Sequence, residues 1–126
     1  MMLELDFSND VPIYLQIRNQ VVMGIADGRL RAGEKLPTIR ALANETGINM
    51  MTASKAYALL KQEGHIQADR RSGATVCGEV KRAGLVPPKL KQSLKLLIAE
   101  AVLSGVPQED FLQLCGQIYH ETEGVK

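Results

Sequence analysis

The sequence predicts a mainly α-helical fold with one small β-hairpin, and three stretches carry that prediction. Leu36 to Gly64 reads as two short helices joined by a tight turn. His65 to Cys77 shifts to strand-like character around a polar, glycine-bearing turn. Beyond the Pro87-Pro88 pair, two further apolar stripes recur at helical spacing. With one more helix ahead of Gly28, the order is helix, helix, helix, hairpin, which is that of a winged helix-turn-helix. The predicted organisation is that module over residues 1–80 with a short N-terminal arm, a linker over 81–88, and a C-terminal two-helix hairpin over 89–126.

Residues 1–10 are expected to form an extended arm. Asp10, Val11 and Pro12 start the first helix, because proline is tolerated in a first turn. Ile13, Tyr14, Ile17, Val21, Val22 and Ile25 supply its apolar stripe, and Gly28 ends it. Leu30 reads as a short buried strand residue, and Arg31 to Lys35 as a turn. Pro37 and Thr38 open the second helix, where a threonine oxygen can accept from the free amides of the next turn. Ile39, Leu42 and Ala43 form its apolar side. Gly47 stops it, since glycine accepts the left-handed backbone a helix end often needs. Asn49 caps the third helix, in which Ala53, Ala56, Tyr57 and Leu60 share one face, and Gly64 stops it. Two helices separated by so few residues pack at a steep angle, and the second can lie in a DNA major groove.

Strand candidates at His65 to Ala68 and Ala74 to Cys77 flank Asp69-Arg70-Arg71-Ser72-Gly73. This hairpin is the wing, with two arginines near its tip. Gly84 and Pro87-Pro88 break regular structure in the linker. Leu90, Leu94, Leu97, Ile98, Ala101 and Val102 then form one helical stripe. Phe111, Leu112, Leu114, Cys115, Ile118 and Tyr119 form another, after a turn at Ser104 to Pro107. Two amphipathic helices cannot bury both apolar faces alone. A second copy is the expected cover, with Leu94, Leu97, Ile98, Ala101, Val102, Phe111, Leu114 and Ile118 at the dimer interface.

A chain of 126 residues suggests one domain, or a small domain with an appendage. Its apolar fraction of 45% suffices for a core. No apolar run approaches the ~20 residues of a membrane span. The acidic N-terminus does not resemble a signal peptide, so a cytoplasmic protein with no membrane partner is expected. Cys77 and Cys115 follow no paired motif and read as reduced thiols. The net charge of +1 is unevenly spread. Residues 11–82 carry eleven Lys/Arg against six Asp/Glu, whereas Glu4, Asp6 and Asp10 make the arm acidic. A basic excess around a helix-turn-helix is the footprint of a phosphate-binding module. No nucleophile–base pair, glycine-rich phosphate loop or cluster of metal ligands is evident, so neither enzyme, cofactor nor metal site is expected.

Four blocks carry a family resemblance: PIYLQI at 12–17, GRLRAGEKLPTIRALA at 28–43, GINMMTASKAYALLKQEG at 47–64 and RRSGATV at 70–76. In this order and spacing they resemble the winged-helix domain of the GntR family of bacterial transcription regulators, over about residues 11–78. The short tail is similar in length and pattern to the YtrA-like subfamily. The resemblance implies a homodimeric repressor on a palindromic DNA operator. It implies that Arg40, of the LPxxR block, reaches DNA, with Thr38 beside it; a guanidinium can grip guanine or phosphate. The start of the recognition helix matches Asn49, Met50, Met51, Thr52, Ser54 and Lys55, with Tyr57 further along. The wing matches Arg70, Arg71, Ser72 and Gly73. Met50 stands where some members carry a guanine-reading arginine, and a methionine suits a thymine methyl instead. Val76 replaces an aromatic of the wing, which bears on packing more than on DNA. A small-molecule effector of unknown identity would have to bind between the tail and the winged helix or across the dimer, because the tail is too short to enclose a pocket of ~300 Å³.

Each of these residues also has a plain structural reading. Arg40 can be a solvated helix residue. Thr52 and Ser54 can make local backbone bonds, and Asn49 can be a cap alone. Lys55 is the stronger phosphate candidate. One of Met50 and Met51 is expected in the core, with Met50 the exposed one. Tyr57 packs in the core or meets a phosphate. Arg70 and Arg71 can be no more than a soluble turn. His65 reads as structural, His120 as solvated, and the two cysteines as small apolar core residues. A winged helix that binds a protein and no DNA is the rival reading; the basic excess and Arg40 argue against it.

Overall fold

The computed structural model describes residues 3–69, 73–77 and 84–123. Arg70, Arg71 and Ser72 of the expected wing tip, and residues 81–83 of the expected linker, lie outside the described residues. The chain divides into two compact units, one built on the first three helices and a sheet, the other on the last two helices.

In the first unit the order is α1 (Ile13–Ala26), β1 (Lys35–Leu36), α2 (Ile39–Thr46), α3 (Met50–Gln62), β2 (Ile66–Asp69) and β3 (Gly73–Val76). The apolar stripes converge on one core: Ile17 and Val21 of α1, Leu42 and Ala43 of α2, Ala53, Ala56, Tyr57 and Leu60 of α3, and Leu36, Ile66, Ala74 and Val76 of the sheet. The helix ends follow from their cap residues. Thr38 Oγ1 accepts from the Ala41 amide at 3.0 Å, and Asn49 Oδ1 from the Thr52 amide at 2.7 Å. Gly47 closes α2 at φ 73°, where a side chain would be strained. Arg18 of α1 grips Glu63, just past α3, through two bonds of 2.8 Å. A two-pronged guanidinium–carboxylate pair fixes direction as well as distance.

Three sequence expectations are corrected here. Leu30 is buried but is not a strand residue. Its amide donates to Gly24 O at 2.9 Å, which folds it onto the last turn of α1 and removes its donor from any ladder. Gly24 permits this approach, because a Cβ there would stand 3.1 Å from Leu30 Cδ1. The turn expected over Arg31 to Lys35 ends one residue early, since Lys35 begins β1. The wing hairpin is therefore part of a three-stranded antiparallel sheet of order β1-β3-β2, with Lys35 opposite Thr75 and Leu36 opposite Ala74. The hairpin itself pairs Ile66 with Val76 and Asp69 with Gly73, so Asp69 and Gly73, expected in the turn, are strand residues, and His65 and Cys77, expected in the strands, lie just outside them.

The N-terminal arm is held to α1 by the side-chain amides of two glutamines. Gln16 Oε1 accepts from the Asp6 amide at 2.9 Å while its Nε2 donates to Asp6 O and Val11 O. Gln20 exchanges the same kind of bonds with both backbone groups of Glu4. Glu4 and Asp6 thus face α1 with their backbones, and Leu3 and Leu5 between and beside them pack on the core. The Asp6 carboxylate accepts from the hydroxyl and amide of Ser8, which holds it below the usual carboxylate range.

The second unit consists of α4 (Pro88–Leu103) and α5 (Gln108–Thr122). Pro88 lies at the start of α4, where its missing N–H is harmless. Gly105, at φ 75°, turns the chain, and Val106 N caps Ala101 O at 3.0 Å. Glu109 and Asp110 sit in the first turn of α5, the favourable end of its dipole for acids. Neither helix has a buried residue. Ala101, Phe111 and Cys115 are half-buried, while Leu94, Leu97, Ile98, Val102, Leu114 and Ile118 are exposed. Cys77 and Cys115 are free thiols, half-buried rather than core.

Candidate nucleic-acid interface

The helix-turn-helix presents one outer face built from the start of α2 and one side of α3. Ala53, Ala56, Tyr57 and Leu60 pin the inner side of α3 to the core, so the helical period leaves Met51, Ser54, Lys55 and Ala58 outside. Those four are exposed, and Ser54 and Lys55 each lie three or four residues from both Met51 and Ala58. Thr52 is half-buried at the edge of this stripe. Asn49 is exposed and keeps its side-chain oxygen on the Thr52 amide, so its side-chain nitrogen is the donor it has left to offer.

Met50 and Met51 depart from expectation. Neither is in the core: Met50 is 49% exposed and Met51 83% exposed. The first turn of α3 projects past the core, so both side chains leave it. Met51, not Met50, carries the larger open apolar surface. Its position on the stripe with Ser54 and Lys55 is a feature that hydrophobicity concealed and spacing could have found.

At the start of α2, Thr38 and Arg40 are both exposed. Arg40 has no ion-pair partner among the described residues, whereas Arg18 and Arg29 are paired to Glu63 and Asp27. The Thr38 hydroxyl accepts from Ala41 and retains its own proton for an outside acceptor. Gly73, at φ 74°, begins β3 and is half-buried.

Tyr57 is a correction to the set of DNA contacts. It is only 3% exposed, and its hydroxyl donates to Pro37 O at 2.7 Å. It cannot meet a duplex. Its bond instead ties the middle of α3 to the residue preceding the Thr38 cap, which fixes the start of α2 against α3. Burial first, and the negative charge of Glu45 second, push the phenol well above the ordinary tyrosine value of 10.0. The folded protein therefore holds this proton more tightly than the unfolded chain. The resulting stability is complete below the unfolded value near 10 and is lost as pH rises beyond it. Denaturant melts are expected to show wild-type stability falling above about pH 10 more steeply than that of Tyr57→Phe. At neutral pH the same variant is expected to lose about 1–2 kcal/mol, the cost of leaving a carbonyl unpaired.

Lys55 is the exposed cation of the α3 stripe. Its Nζ lies 4.1 Å from the centroid of the Tyr14 ring, in the first turn of α1. The sequence placed Tyr14 only in the apolar stripe of α1; no pattern within either helix could pair the two. Among the described residues no group of three or more His, Cys, Asp or Glu side chains could hold a metal ion. No described helix is long and apolar enough to cross a membrane. A shallow concavity of about 240 Å³ between the arm and α2 is lined by Leu3, Leu5, Phe7, Glu45 and Thr46.

Comparison with known proteins bears on this face. A family model described as bacterial regulatory proteins, gntR family, matches residues 13–76, from the start of α1 to the end of β3. The chain is similar to the HTH-type transcriptional repressor YtrA of Bacillus subtilis (strain 168), with 35% identity over 99% of this chain and 98% of that protein. It is similar in structure to a transcriptional antiterminator from Listeria monocytogenes EGD-e, with a TM-score of 0.87 and 28% identity, covering 100% of this chain and 96% of the other. It is also similar to YtrA from Sulfolobus acidocaldarius, a GntR-family transcription factor, with a TM-score of 0.59 and 33% identity over 94% of this chain and 97% of the other.

Proposed function

The chain belongs to the gntR family of bacterial regulatory proteins, and on that premise we propose that it is a transcription repressor that binds a palindromic DNA operator as a homodimer. The observation that carries this reading is the outer stripe of α3. Met51, Ser54 and Lys55 form an exposed face on a helix whose opposite side is core, with Arg40, which has no ion-pair partner among the described residues, at the start of the neighbouring helix. A helix so mounted enters a major groove with its N-terminal residues toward base edges. Met50 and Met51 offer apolar contact to a thymine methyl, and Ser54 and Asn49 offer hydrogen bonds. Arg40, Thr38, Thr52 and Lys55 serve as phosphate or guanine contacts that fix register. Gly73 and the wing residues Arg70, Arg71 and Ser72 reach the backbone or minor groove beside it.

The dimer is assigned to α4 and α5. Their apolar stripes have no buried residue within the chain, and helices of this length are marginal without a partner for their apolar face. A twofold dimer pairs Leu94, Leu97, Ile98 and Val102 of α4, with Ala101, and Phe111, Leu114 and Ile118 of α5, against the same residues of its partner. Two recognition helices then read two half-sites related by a twofold axis. Where such an operator overlaps a promoter, binding excludes polymerase, and the cytoplasm is where that DNA is met.

Selection from a random-sequence duplex pool tests the proposal. The expected product is an inverted repeat that binds two chains per duplex, with half-site centres about one helical turn of ~34 Å, or a multiple of it, apart. Enrichment of a single half-site bound by one chain contradicts the dimeric reading. No enrichment at low salt contradicts DNA recognition itself.

A further inference from the structure

We propose that Tyr14 is a positioning residue for DNA binding: its ring holds the Lys55 side chain in place so that the ammonium meets a backbone phosphate already ordered. The inference rests on the DNA-binding reading above and adds to it a residue on a helix outside the helix-turn-helix.

The geometry points to this. Lys55 Nζ sits 4.1 Å from the Tyr14 ring centroid, within the range where the negative face of an aromatic ring attracts a cation. The contact leaves the N–H donors that point away from the ring free for an oxygen. Lys55 is on the exposed stripe of α3, one turn beyond Met51. Tyr14 is half-buried, so its own ring is fixed by the packing of α1 rather than by a loop. The spacing of the two helices is set independently by Arg18 of α1 and Glu63 beyond α3, joined through two bonds of 2.8 Å. A lysine side chain in water is long and mobile, and a phosphate contact must immobilise it. On this protein the ring has already restricted it.

The test is a double-mutant cycle on the full chain. Affinity for a mixed-sequence DNA duplex at low salt is measured by fluorescence anisotropy for wild type, Tyr14→Phe, Tyr14→Leu, Lys55→Met and the Tyr14→Leu/Lys55→Met pair. Tyr14→Phe keeps the ring and is expected to bind as wild type does. Tyr14→Leu keeps apolar bulk and is expected to bind about two- to fivefold more weakly, the size of an exposed cation–π contact. That weakening is expected to vanish when Lys55 is already methionine. Lys55→Met is expected to lower the slope of log affinity against log salt by about 0.9, one phosphate contact. An equal Tyr14→Leu effect with and without Lys55 overturns the proposal, as does a Tyr14→Phe variant as weak as Tyr14→Leu. Should Tyr14→Leu unfold, the free wild-type protein decides. The Lys55 methylene protons next to the ammonium are expected upfield in wild type and Tyr14→Phe, and their normal position in both overturns the contact. Wild-type protein that binds no duplex at all removes the DNA reading, and this inference with it; wild-type binding with an additive cycle removes only this inference.

Discussion

Leu97→Glu combined with Ile118→Glu is expected to convert a stable dimer into a monomer. Both side chains are exposed in the single chain and lie on the apolar stripes of α4 and α5. Covering a large aliphatic side chain is worth about 1.5–3 kcal/mol. Leu97 and Ile118 are 56% and 50% exposed, so about half of that remains to be gained for each. Twofold symmetry doubles each change, so four side chains are affected and about 3–6 kcal/mol of association is lost. That amounts to roughly two to four powers of ten in the dimer constant. Fold stability of the first unit is expected to be unchanged, since its core of Ile17, Val21, Leu42 and Leu60 contains neither residue. Operator affinity should fall with dimerisation, because two linked recognition helices gain from effective concentration what one helix alone cannot. Sedimentation of the variant measures the first effect and anisotropy the second. A variant that still sediments as a dimer would move the interface elsewhere.

Arg40→Ala is expected to weaken operator binding about 5- to 150-fold, from the ~1–3 kcal/mol of one charge-assisted contact to a base or phosphate. Folding should be nearly indifferent, because Arg40 is exposed and unpaired among the described residues and such substitutions stay within about 0.5 kcal/mol. The pattern of loss separates two roles. Equal loss on every duplex, with a salt slope smaller by about 0.9, assigns Arg40 to a phosphate. Loss confined to the operator, with relaxed choice at one base pair, assigns it to guanine. Wild-type affinity for the operator would remove Arg40 from the interface.

The helix-turn-helix was legible in the sequence because its boundaries are chemical. Thr38, Gly47 and Asn49 each do at a helix end what only a few residue types can do, and the structure uses all three in that way. The inner face of α3 was legible for a similar reason: Ala53, Ala56, Tyr57 and Leu60 hold a strict period and all are buried. β1 was not legible. Two residues show no alternation, and the partner strand lies beyond two intervening helices. Leu30 misled because a lone apolar residue between turns fits a strand, whereas its amide bonds to Gly24 O. The methionines misled by composition. Hydrophobicity argued for a core role, but Met51 falls on the same side of α3 as Ser54 and Lys55. Met50, three residues before Ala53, is the less exposed of the two. The contact of Tyr14 with Lys55 was beyond any local pattern, because only tertiary packing brings α1 beside α3. The exposed stripes of α4 and α5 were legible as stripes, because their apolar residues recur at helical spacing.

The most direct measurement is anisotropy of the full chain on the duplex that lies upstream of its own gene, beside a scrambled duplex of the same composition, over a salt series. The account predicts binding to the native duplex about a thousandfold or more tighter than to the scrambled one, with affinity falling steeply as salt rises. No binding to either duplex at low salt would contradict it and leave the α3 face to a protein partner.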